Sequence, residues 1–307
     1  MDIILNISEI AIITGDNKFK TKRDYLIDVW KKNSKEDYEK YKKITEFIKE
    51  SDTDIINKIS LRNNIDISSD LLKCSKSKNT IDLNSVKKTI EDKVVREITI
   101  KKTIEAEKEI KAIVDSGDIK DIEIKKKEIM KKMEKSIKED KKVILESVKN
   151  VTNTKFGIKN ETDVSKIYES LTGSKIIKDN KYRKLEICKI DDYTIYIGGK
   201  IDGFNQENQS LIEIKNRVNK LFYALRSYEK VQIMSYLYLF NCTKGHLVEA
   251  FKKKDGTDIN IIEVDFDKTY MDGILEKIVL FCKYYIEFLQ NHEAKISLLK
   301  NSDEVVI

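Results

Sequence analysis

The sequence predicts an α/β protein in which helices flank a mixed central β-sheet, with a large helical insertion. Strand-like alternation of aromatic and β-branched residues is confined to the C-terminal half, at TIYIGGKIDGF, SLIEIKN, HLVEAFKKK and INIIEVDFD. Helical periodicity separates and follows these runs, at YEKVQIMSYLYLF and KTYMDGILEKIVLFCKYYIEFLQN. A charged helical stretch with few aromatic residues precedes them. Strands that alternate with helices in this way are typical of a sheet covered by helices.

Changes in composition divide the 307 residues into four predicted segments. The N-terminal segment is predicted to contain a helix from Ile7 to Thr14, a turn, and a second helix from Lys22 to Trp30. In the charged segment, SDTDIINKISLRNNIDISSD and CSKSKNT are interpreted as connectors. The four segments are an N-terminal helical segment packing on the core (1–35), a charged helical insertion (36–150), the α/β core (151–295) and a C-terminal tail (296–307).

Composition narrows the possible partners and the compartment. The formal net charge of +6 favours a polyanionic partner slightly. No apolar run approaches the roughly 18 residues that span a bilayer, so we expect no membrane partner. The N-terminus lacks the pattern of a signal peptide. The four cysteines are scattered without a CxxC pair, which predicts a reduced, intracellular protein without a zinc or iron–sulfur site.

A Glu-Ile-Lys triplet occurs three times, beginning at Glu109, Glu123 and Glu213. The first two copies lie in lysine-rich sequence with helical periodicity. On a helix, residues i and i+2 point about 200° apart, so the Glu and the Lys cannot share a site. The third copy lies in SLIEIKN, where strand geometry places Glu213 and Lys215 on one face. Only this copy is predicted to carry chemistry.

The third copy is predicted to form a hairpin with TIYIGGKIDGF through a turn near Glu207 and Asn208. Folding about that midpoint places Asp202 opposite Glu213, with Cβ atoms roughly 5 Å apart. Two carboxylates this close repel each other unless a divalent cation lies between them. Lys215 would then adjoin the cation, where it can orient or activate a water molecule.

The spacing Asp-x10-Glu-x-Lys on a hairpin resembles the PD-(D/E)XK nuclease superfamily, which implies a restriction-endonuclease-like core. Upstream, KFGIKNETDVSKIYESLTGSKI is similar to the helix before the hairpin in the lambda exonuclease and YqaJ-type viral recombinase branch, with matches at Gly157, Glu161, Tyr168 and Gly173. Downstream, Gln232 and Tyr236 match the QxxxY motif of the same branch. The N-terminal segment resembles the opening segment of YqaJ proteins, with Ser8 matching a serine that helps bind a terminal 5′-phosphate.

The resemblance implies a Mg²⁺-dependent nuclease, with Mn²⁺ able to substitute, that resects double-stranded DNA ends in the 5′→3′ direction for viral or phage-type recombination. It implies metal binding by Asp202, Glu213 and the backbone carbonyl of Ile214, with Glu161 contributing through a second ion or water. Lys215 would orient the attacking water, with Gln232 beside it. The implied substrate-binding residues are Ser8, Lys200, Arg217 and Tyr236. A viral protein of this kind would act in the host cytoplasm or nucleus.

Several alternatives remain open at the level of sequence. Lys200 stands where lambda exonuclease has a phosphate-binding serine, and Ile201 stands where the motif has proline, so the 5′-end preference is in doubt. Arg217 could equally form a surface ion pair. The activity could be that of a structure-specific endonuclease or a DNA/RNA nuclease, and a non-catalytic nucleic-acid-binding scaffold is the alternative of another class. An oligomer and a single-strand annealing protein as partner are compatible with the sequence.

Overall fold

The computed structural model describes residues 1–115, 122–178 and 181–300, which form two compact units. The first unit contains residues 1–48, 161–250 and the described chain from 258 onward. The second contains residues 49–160 and 251–257. The predicted boundary near residue 150 lies inside a single long helix that continues to Thr172.

The described residues of the chain contain eight strands in two sheets. The strands are β1 (Asp2–Asn6), β2 (Ile176–Ile177), β3 (Arg183–Ile190), β4 (Tyr193–Gly199), β5 (Gly203–Asn205), β6 (Ser210–Arg217), β7 (Lys244–Lys252) and β8 (Thr257–Asp265).

The smaller sheet has the strand order β1-β4-β3 and is mixed. β1 runs parallel to β4, and β3 runs antiparallel to it. Ile3 and Leu5 of β1 alternate with more exposed residues and are fully buried with Ile195 and Ile197 of β4. The larger sheet has the order β2-β5-β6-β7-β8, with β5 antiparallel to both β2 and β6.

Helices accompany these sheets, so the predicted α/β class is confirmed. The helices are α1 (Ile10–Ile13), α2 (Lys22–Asn33), α3 (Lys35–Thr45), α4 (Asp52–Asn63), α5 (Ser68–Lys76), α6 (Thr80–Asp115), α7 (Ile122–Thr172), α8 (Ser227–Phe240), α9 (Lys268–Gln290) and α10 (His292–Lys300). A 3₁₀ turn, Ile7–Glu9, precedes α1. No helix among the described residues is long and apolar enough to cross a membrane.

An aromatic cluster forms part of the main core of the first unit. Trp30 of α2 is fully buried, and its ring lies 5.0 Å from that of Phe288 and 5.4 Å from that of Tyr38. The Trp30 indole N–H donates to Asp37 Oδ2 at 2.8 Å, which satisfies the one polar atom of this side chain. The cluster therefore ties α2 and α3 to α9.

The second unit is helical, with α4 and α5 packed on α6. One stripe of α6 is fully buried at Ile90, Val94 and Ile98, which are spaced by four residues. The opposite face of α6 carries exposed charged residues, among them Lys88 and Asp92. Residues 116–121, which include the start of the predicted helical segment DIKDIEIKKKEIMKKM, lie outside the described residues.

The prediction that TIYIGGKIDGF forms one strand opposite SLIEIKN was wrong. The segment divides at residues 200–202 into β4 and β5, which belong to different sheets. Gly198 and Gly199 are the last residues of β4, and aromatic rings occupy the space beside them that a side chain would fill. A Cβ at Gly198 would lie 2.5 Å from Tyr182 Oη, and one at Gly199 would lie 2.7 Å from Tyr236 Cε1. Only three residues of β5 remain to pair with β6.

Other boundaries also differ from the predictions. The predicted connector after residue 50 contains α4, because Ser51 and Asp54 form a reciprocal capping box: Ser51 N–H donates to Asp54 Oδ2 at 3.0 Å, and Asp54 N–H donates to Ser51 Oγ at 3.1 Å. The second connector, CSKSKNT, begins within α5. In the predicted tail, residues 296–300 belong to α10, and residues 301–307 lie outside the described residues.

Candidate active site

The β5–β6 hairpin brings Asp202 and Glu213 together. Gly203 pairs with Ile212, so the antiparallel register places the preceding residue, Asp202, across from Glu213. Asp202 Oδ2 accepts a hydrogen bond from the Ile214 backbone N–H at 2.7 Å. Asn205 Oδ1 shapes the turn by accepting from the Glu207 N–H at 3.0 Å. The juxtaposition expected from the sequence is therefore present.

Strand β6 presents two chemically different faces. Ile212 and Ile214 pack into an apolar cluster with Val164, Tyr168, Val248 and Ala250. Glu213 and Lys215 alternate with these isoleucines and contact α8. This period of two is the strand geometry that the third Glu-Ile-Lys copy required. The copies at Glu109 and Glu123 lie on α6 and α7, as predicted.

Glu213, Lys215 and Gln232 form a closed hydrogen-bonded triangle. Lys215 Nζ donates to Glu213 Oε1 at 2.8 Å and to Gln232 Oε1 at 3.0 Å. Gln232 Nε2 donates to Glu213 Oε1 at 2.8 Å. Since all three members are restrained by the others, the lysine and the carboxylate have fixed orientations. Gln232 is thus in the site, where its amide positions both charged groups.

Burial raises the pKa of both hairpin carboxylates. Burial raises the pKa of Glu213 to about 7, and repulsion from Asp202 adds to this although Lys215 opposes it. Burial likewise raises the pKa of Asp202, against the hydrogen bond from the Ile214 N–H. For Lys215, burial lowers the pKa, but the Glu213 carboxylate outweighs this and the net pKa is raised. Lys215 is therefore a cation at neutral pH.

Glu161 lies on α7, close enough for its charge to act on the pair. Its pKa is raised by burial and by Glu213, while Lys178 and Lys215 lower it. Within residues 1–115, 122–178 and 181–300, however, no three His, Cys, Asp or Glu side chains lie together closely enough to hold a metal ion. The contribution of Glu161 to metal binding, through a second ion or a water molecule, stays a prediction.

Tyr236 lies one helical turn after Gln232 and packs against the end of β4. Its side chain is 5% exposed, and its ring occupies the space beside Gly199. Burial and the negative charge of Glu213 raise its pKa, while a hydrogen bond with Gln232 opposes this shift. Tyr236 therefore borders the carboxylates as a neutral phenol.

Arg217 differs from both sequence-level expectations, substrate binding and a surface ion pair. It is 9% exposed, and its guanidinium donates to Glu229 Oε1 at 2.7 Å, to Glu229 Oε2 at 3.0 Å and, through Nε, to Glu249 Oε1 at 2.8 Å. Its forked donors are directed at two buried carboxylates instead of at solvent. Arg217 therefore joins β6 to α8 and β7 inside the protein.

Ser8 and Lys200 lie on the surface of the first unit. Ser8 is exposed on the 3₁₀ turn, which packs against β4 and α8, the elements that lead to Lys200 and carry Gln232. Lys200 is exposed two residues before Asp202. Their contact with a substrate stays a prediction.

Sequence reasoning missed Glu229 and Glu249, the partners of Arg217. A signal was present for Glu229, since it precedes Gln232 by three residues and shares its helix face. Glu249 had no such signal, because its pairing depends on the neighbouring strand in the sheet.

Cys242 and His246, four residues apart, have separate hydrogen-bond partners. His246 Nδ1 shares a 2.7 Å hydrogen bond with the Tyr168 hydroxyl, and Cys242 Sγ lies 3.5 Å from the Phe240 carbonyl oxygen. All four cysteines are free thiols.

Comparisons with known proteins give matches to solved structures alone. No protein-family model matches the chain, and no curated protein matches it. An alkaline exonuclease from Laribacter hongkongensis superposes with a TM-score of 0.36 and 15% identity, over 47% of this chain and 74% of that one. A phage-related exonuclease from Haemophilus somnus 129PT superposes with a TM-score of 0.37 and 15% identity, over 45% and 72% of the two chains.

Proposed function

We propose that the protein is a Mg²⁺-dependent nuclease that hydrolyses DNA. The observation that carries this proposal is the hairpin register that places Asp202 across from Glu213, with Lys215 on the same strand face as Glu213. A buried carboxylate, Glu213, beside the partly buried Asp202 and Lys215 is costly to assemble unless the group binds a ligand. A divalent cation and a phosphate oxygen are ligands that match these charges.

The donor set fits Mg²⁺ or Mn²⁺. Asp202 and Glu213 supply hard carboxylate oxygens, and the negative charge of Asp202 helps to raise the pKa of Glu213, which favours a shared cation. The backbone carbonyl of Ile214, the residue after Glu213, would add a third oxygen. When bound, the ion would polarise the scissile phosphate and lower the pKa of the attacking water. Glu161 would contribute through a second ion or a water molecule.

Lys215 would act as a hydrogen-bond donor and a positive charge. Its raised pKa keeps the ammonium protonated, so it cannot accept a proton from water at neutral pH. It can orient the attacking water and stabilise the negative charge that develops on the phosphate. Gln232 would hold the ammonium in place through its 3.0 Å hydrogen bond.

In finer detail, we propose 5′→3′ exonuclease activity on duplex ends. Exposed Ser8 and Lys200 belong to segments next to the hairpin and to α8, where they could contact a terminal phosphate. Lysine would meet it as a point charge. Such an enzyme leaves 3′ single strands, which a single-strand annealing protein could bind.

The test is digestion of an end-labelled linear duplex with Mg²⁺ by the wild-type protein, Lys215→Ala and Lys111→Ala. Lys111 ends the helical Glu-Ile-Lys copy on α6 and is exposed, so it is the matched control. We expect wild-type digestion by Lys111→Ala and a loss of roughly 100-fold or more in Lys215→Ala, as for removal of a transition-state donor. Equal digestion by all three proteins would remove the proposal.

Two further substrates define the specificity. A covalently closed circular duplex should resist digestion, and cleavage of the circle would assign an endonuclease instead. Linear duplexes with 5′-phosphate and 5′-hydroxyl ends should differ in rate if the enzyme recognises the terminal phosphate.

A further inference from the structure

The loop that joins β6 to α8, residues 218–226, holds an aromatic side chain in an unusual position. Tyr223 has φ of +55°, a left-handed conformation that is rare and costly for a bulky residue. Its side chain is 70% exposed. Burial of the ring therefore does not compensate for the backbone strain, and other contacts must maintain it.

The contacts that maintain it come from Glu249, which is fully buried on β7. Glu249 Oε1 accepts from the Phe222 N–H at 3.2 Å, and Glu249 Oε2 accepts from the Tyr223 N–H at 2.9 Å. The same carboxylate is held by Arg217 and by Asn260 Nδ2, the latter at 3.0 Å. Burial raises the pKa of Glu249, but these hydrogen bonds and the Arg217 charge outweigh it and lower the pKa. The loop backbone is thus anchored to a fixed anion.

Two guanidinium groups contact the ring of Phe222, the residue before Tyr223. The guanidinium carbon of Arg217 lies 4.4 Å from the Phe222 ring centroid, and that of Arg226 lies 4.1 Å from it. Arg226 and Lys220 are exposed in the same loop. An exposed aromatic face beside cations suits a nucleobase attached to a phosphate chain better than an apolar protein surface.

A second exposed aromatic side chain, Phe19, contacts the first turn of α8. Phe19 is 83% exposed and meets the ring of Tyr228 edge-on, with centroids 5.7 Å apart. Lys18, beside it in sequence, is also exposed. Exposed aromatic and basic residues therefore occur in both loops that flank the start of the helix carrying Gln232.

We propose that Tyr223 is a stacking platform for an unpaired base of the DNA strand that enters the site. Glu249 is the positioning residue that holds this platform. The inference rests on the proposed nuclease function and adds a substrate class to it: strands whose terminal bases are unpaired. The loop connects the strand that carries Lys215 to the helix that carries Gln232. A base stacked on Tyr223 would therefore be held by the segment that joins these two hydrolytic residues.

The test compares Tyr223→Asn and Tyr223→Phe in the full-length protein. Asn tolerates the left-handed conformation, so Tyr223→Asn removes the ring while keeping the loop. Tyr223→Phe keeps the ring and removes only the hydroxyl. The probes are a short single-stranded DNA and a blunt duplex of the same sequence, each with 2-aminopurine at its terminal nucleotide and with EDTA present to prevent hydrolysis.

We expect wild-type protein and Tyr223→Phe to quench the single-stranded probe. Tyr223→Asn should lose the quenching and bind this probe about 5- to 100-fold more weakly, the range expected for one stacked base, with an unchanged melting temperature. Unchanged binding and quenching in Tyr223→Asn would overturn the inference, as would equal loss in Tyr223→Phe, which would assign the effect to the hydroxyl. If Tyr223→Asn lowers the melting temperature, Tyr223→Gly is used in its place. Its binding and quenching of the probe are then judged by the same criteria.

Digestion with Mg²⁺ separates this inference from the proposed function. If the wild-type protein digests DNA and Tyr223→Asn digests and binds it equally well, the stacking role fails and the nuclease function stands. If the wild-type protein does not digest DNA but quenching still depends on Tyr223, the nuclease function fails and base stacking stands. Absence of both binding and digestion overturns both.

Discussion

At the scale of single residues, Arg217 shows how a side chain beside the site acts through its neighbours. Its guanidinium fills the space between Glu229 and Glu249, which are 1% and 0% exposed. Without it, both carboxylates would be buried with no cation beside them. Glu249, which anchors the loop of Tyr223, would also lose one of its hydrogen-bond donors.

Arg217→Ala should lower the free energy of unfolding by about 3–5 kcal/mol, the cost of breaking a buried ion pair from one side. The measurement is urea denaturation followed by circular dichroism. Lys200→Ala is the control: Lys200 is exposed, so its loss should change stability by less than about 0.5 kcal/mol. Equal, small effects of Arg217→Ala and Lys200→Ala would contradict a stabilising role of the ion pairs with Glu229 and Glu249.

His246 is expected to make folding depend on pH. Burial and Lys244 lower the pKa of its imidazole, while Glu263 opposes the shift, and the neutral ring bonds to Tyr168. Below its ordinary pKa, near 6.5, the unfolded chain takes up a proton that the folded protein resists. The contribution of this pKa difference to the free energy of unfolding is complete above pH ~6.5. It is lost as the pH falls through the lowered folded-state pKa.

His246→Gln, whose amide can still bond to the Tyr168 hydroxyl, should flatten this part of the pH profile. Thermal unfolding between pH 7 and pH 5 measures it in both proteins. Parallel profiles for the wild-type protein and the variant would show that His246 does not contribute.

At the scale of elements, the change of sheet after β4 positions the site. The chain leaves the smaller sheet at Gly199 and enters the larger one at Gly203, with Asp202 between them. Tyr236 fills the space beside Gly199. The end of β4 and the QxxxY face of α8 are therefore packed as one unit.

Gly199→Ala should lower stability by about 1–3 kcal/mol, the usual cost of overpacking, because its Cβ would lie 2.7 Å from Tyr236 Cε1. It should also reduce nuclease activity, since Tyr236 shares its helix with Gln232. Gly273→Ala is the matched change inside α9, where an added Cβ meets no atom within 4 Å. Gly273→Ala should raise the free energy of unfolding by about 0.5–1 kcal/mol. Equal effects of both substitutions on unfolding would contradict the packing described for Gly199.

Local patterns were sufficient to predict the elements that hold the site. The alternation in SLIEIKN and the helix with Gln232 and Tyr236 follow from periods of two and 3.6 residues, and the hairpin midpoint follows from the turn-forming residues NQENQ. β1 and β3 were missed, since five residues at the chain start and a charged alternating run give weak strand signals. The break at residues 200–202 separates two sheets, and the rings packed on Gly198 and Gly199 come from Tyr182 and Tyr236, which lie far apart in sequence. Long-range contacts of this kind are not visible in local periodicity.

At the scale of the whole molecule, the proposed chemistry lies in one of two compact units. Asp202, Glu213, Lys215 and Gln232 all belong to the first unit, whereas the two helical Glu-Ile-Lys copies belong to the second. The net charge of +6 is modest for a DNA-binding protein. Local positive residues near the site, and not the overall charge, are expected to guide the substrate.

The proposed chemistry requires that Asp202 and Glu213 form one divalent-cation site. This site can be measured by calorimetric titration of Mg²⁺ and Mn²⁺ into the wild-type protein, Asp202→Asn and Glu109→Gln. Asn keeps an oxygen that can accept from the Ile214 N–H, so the hairpin should persist, and Glu109 is the acidic residue of a helical triplet. We expect saturable binding to the wild-type protein and Glu109→Gln, and none to Asp202→Asn. Equal binding by all three proteins, or no binding by the wild-type protein, would rule out a shared cation site.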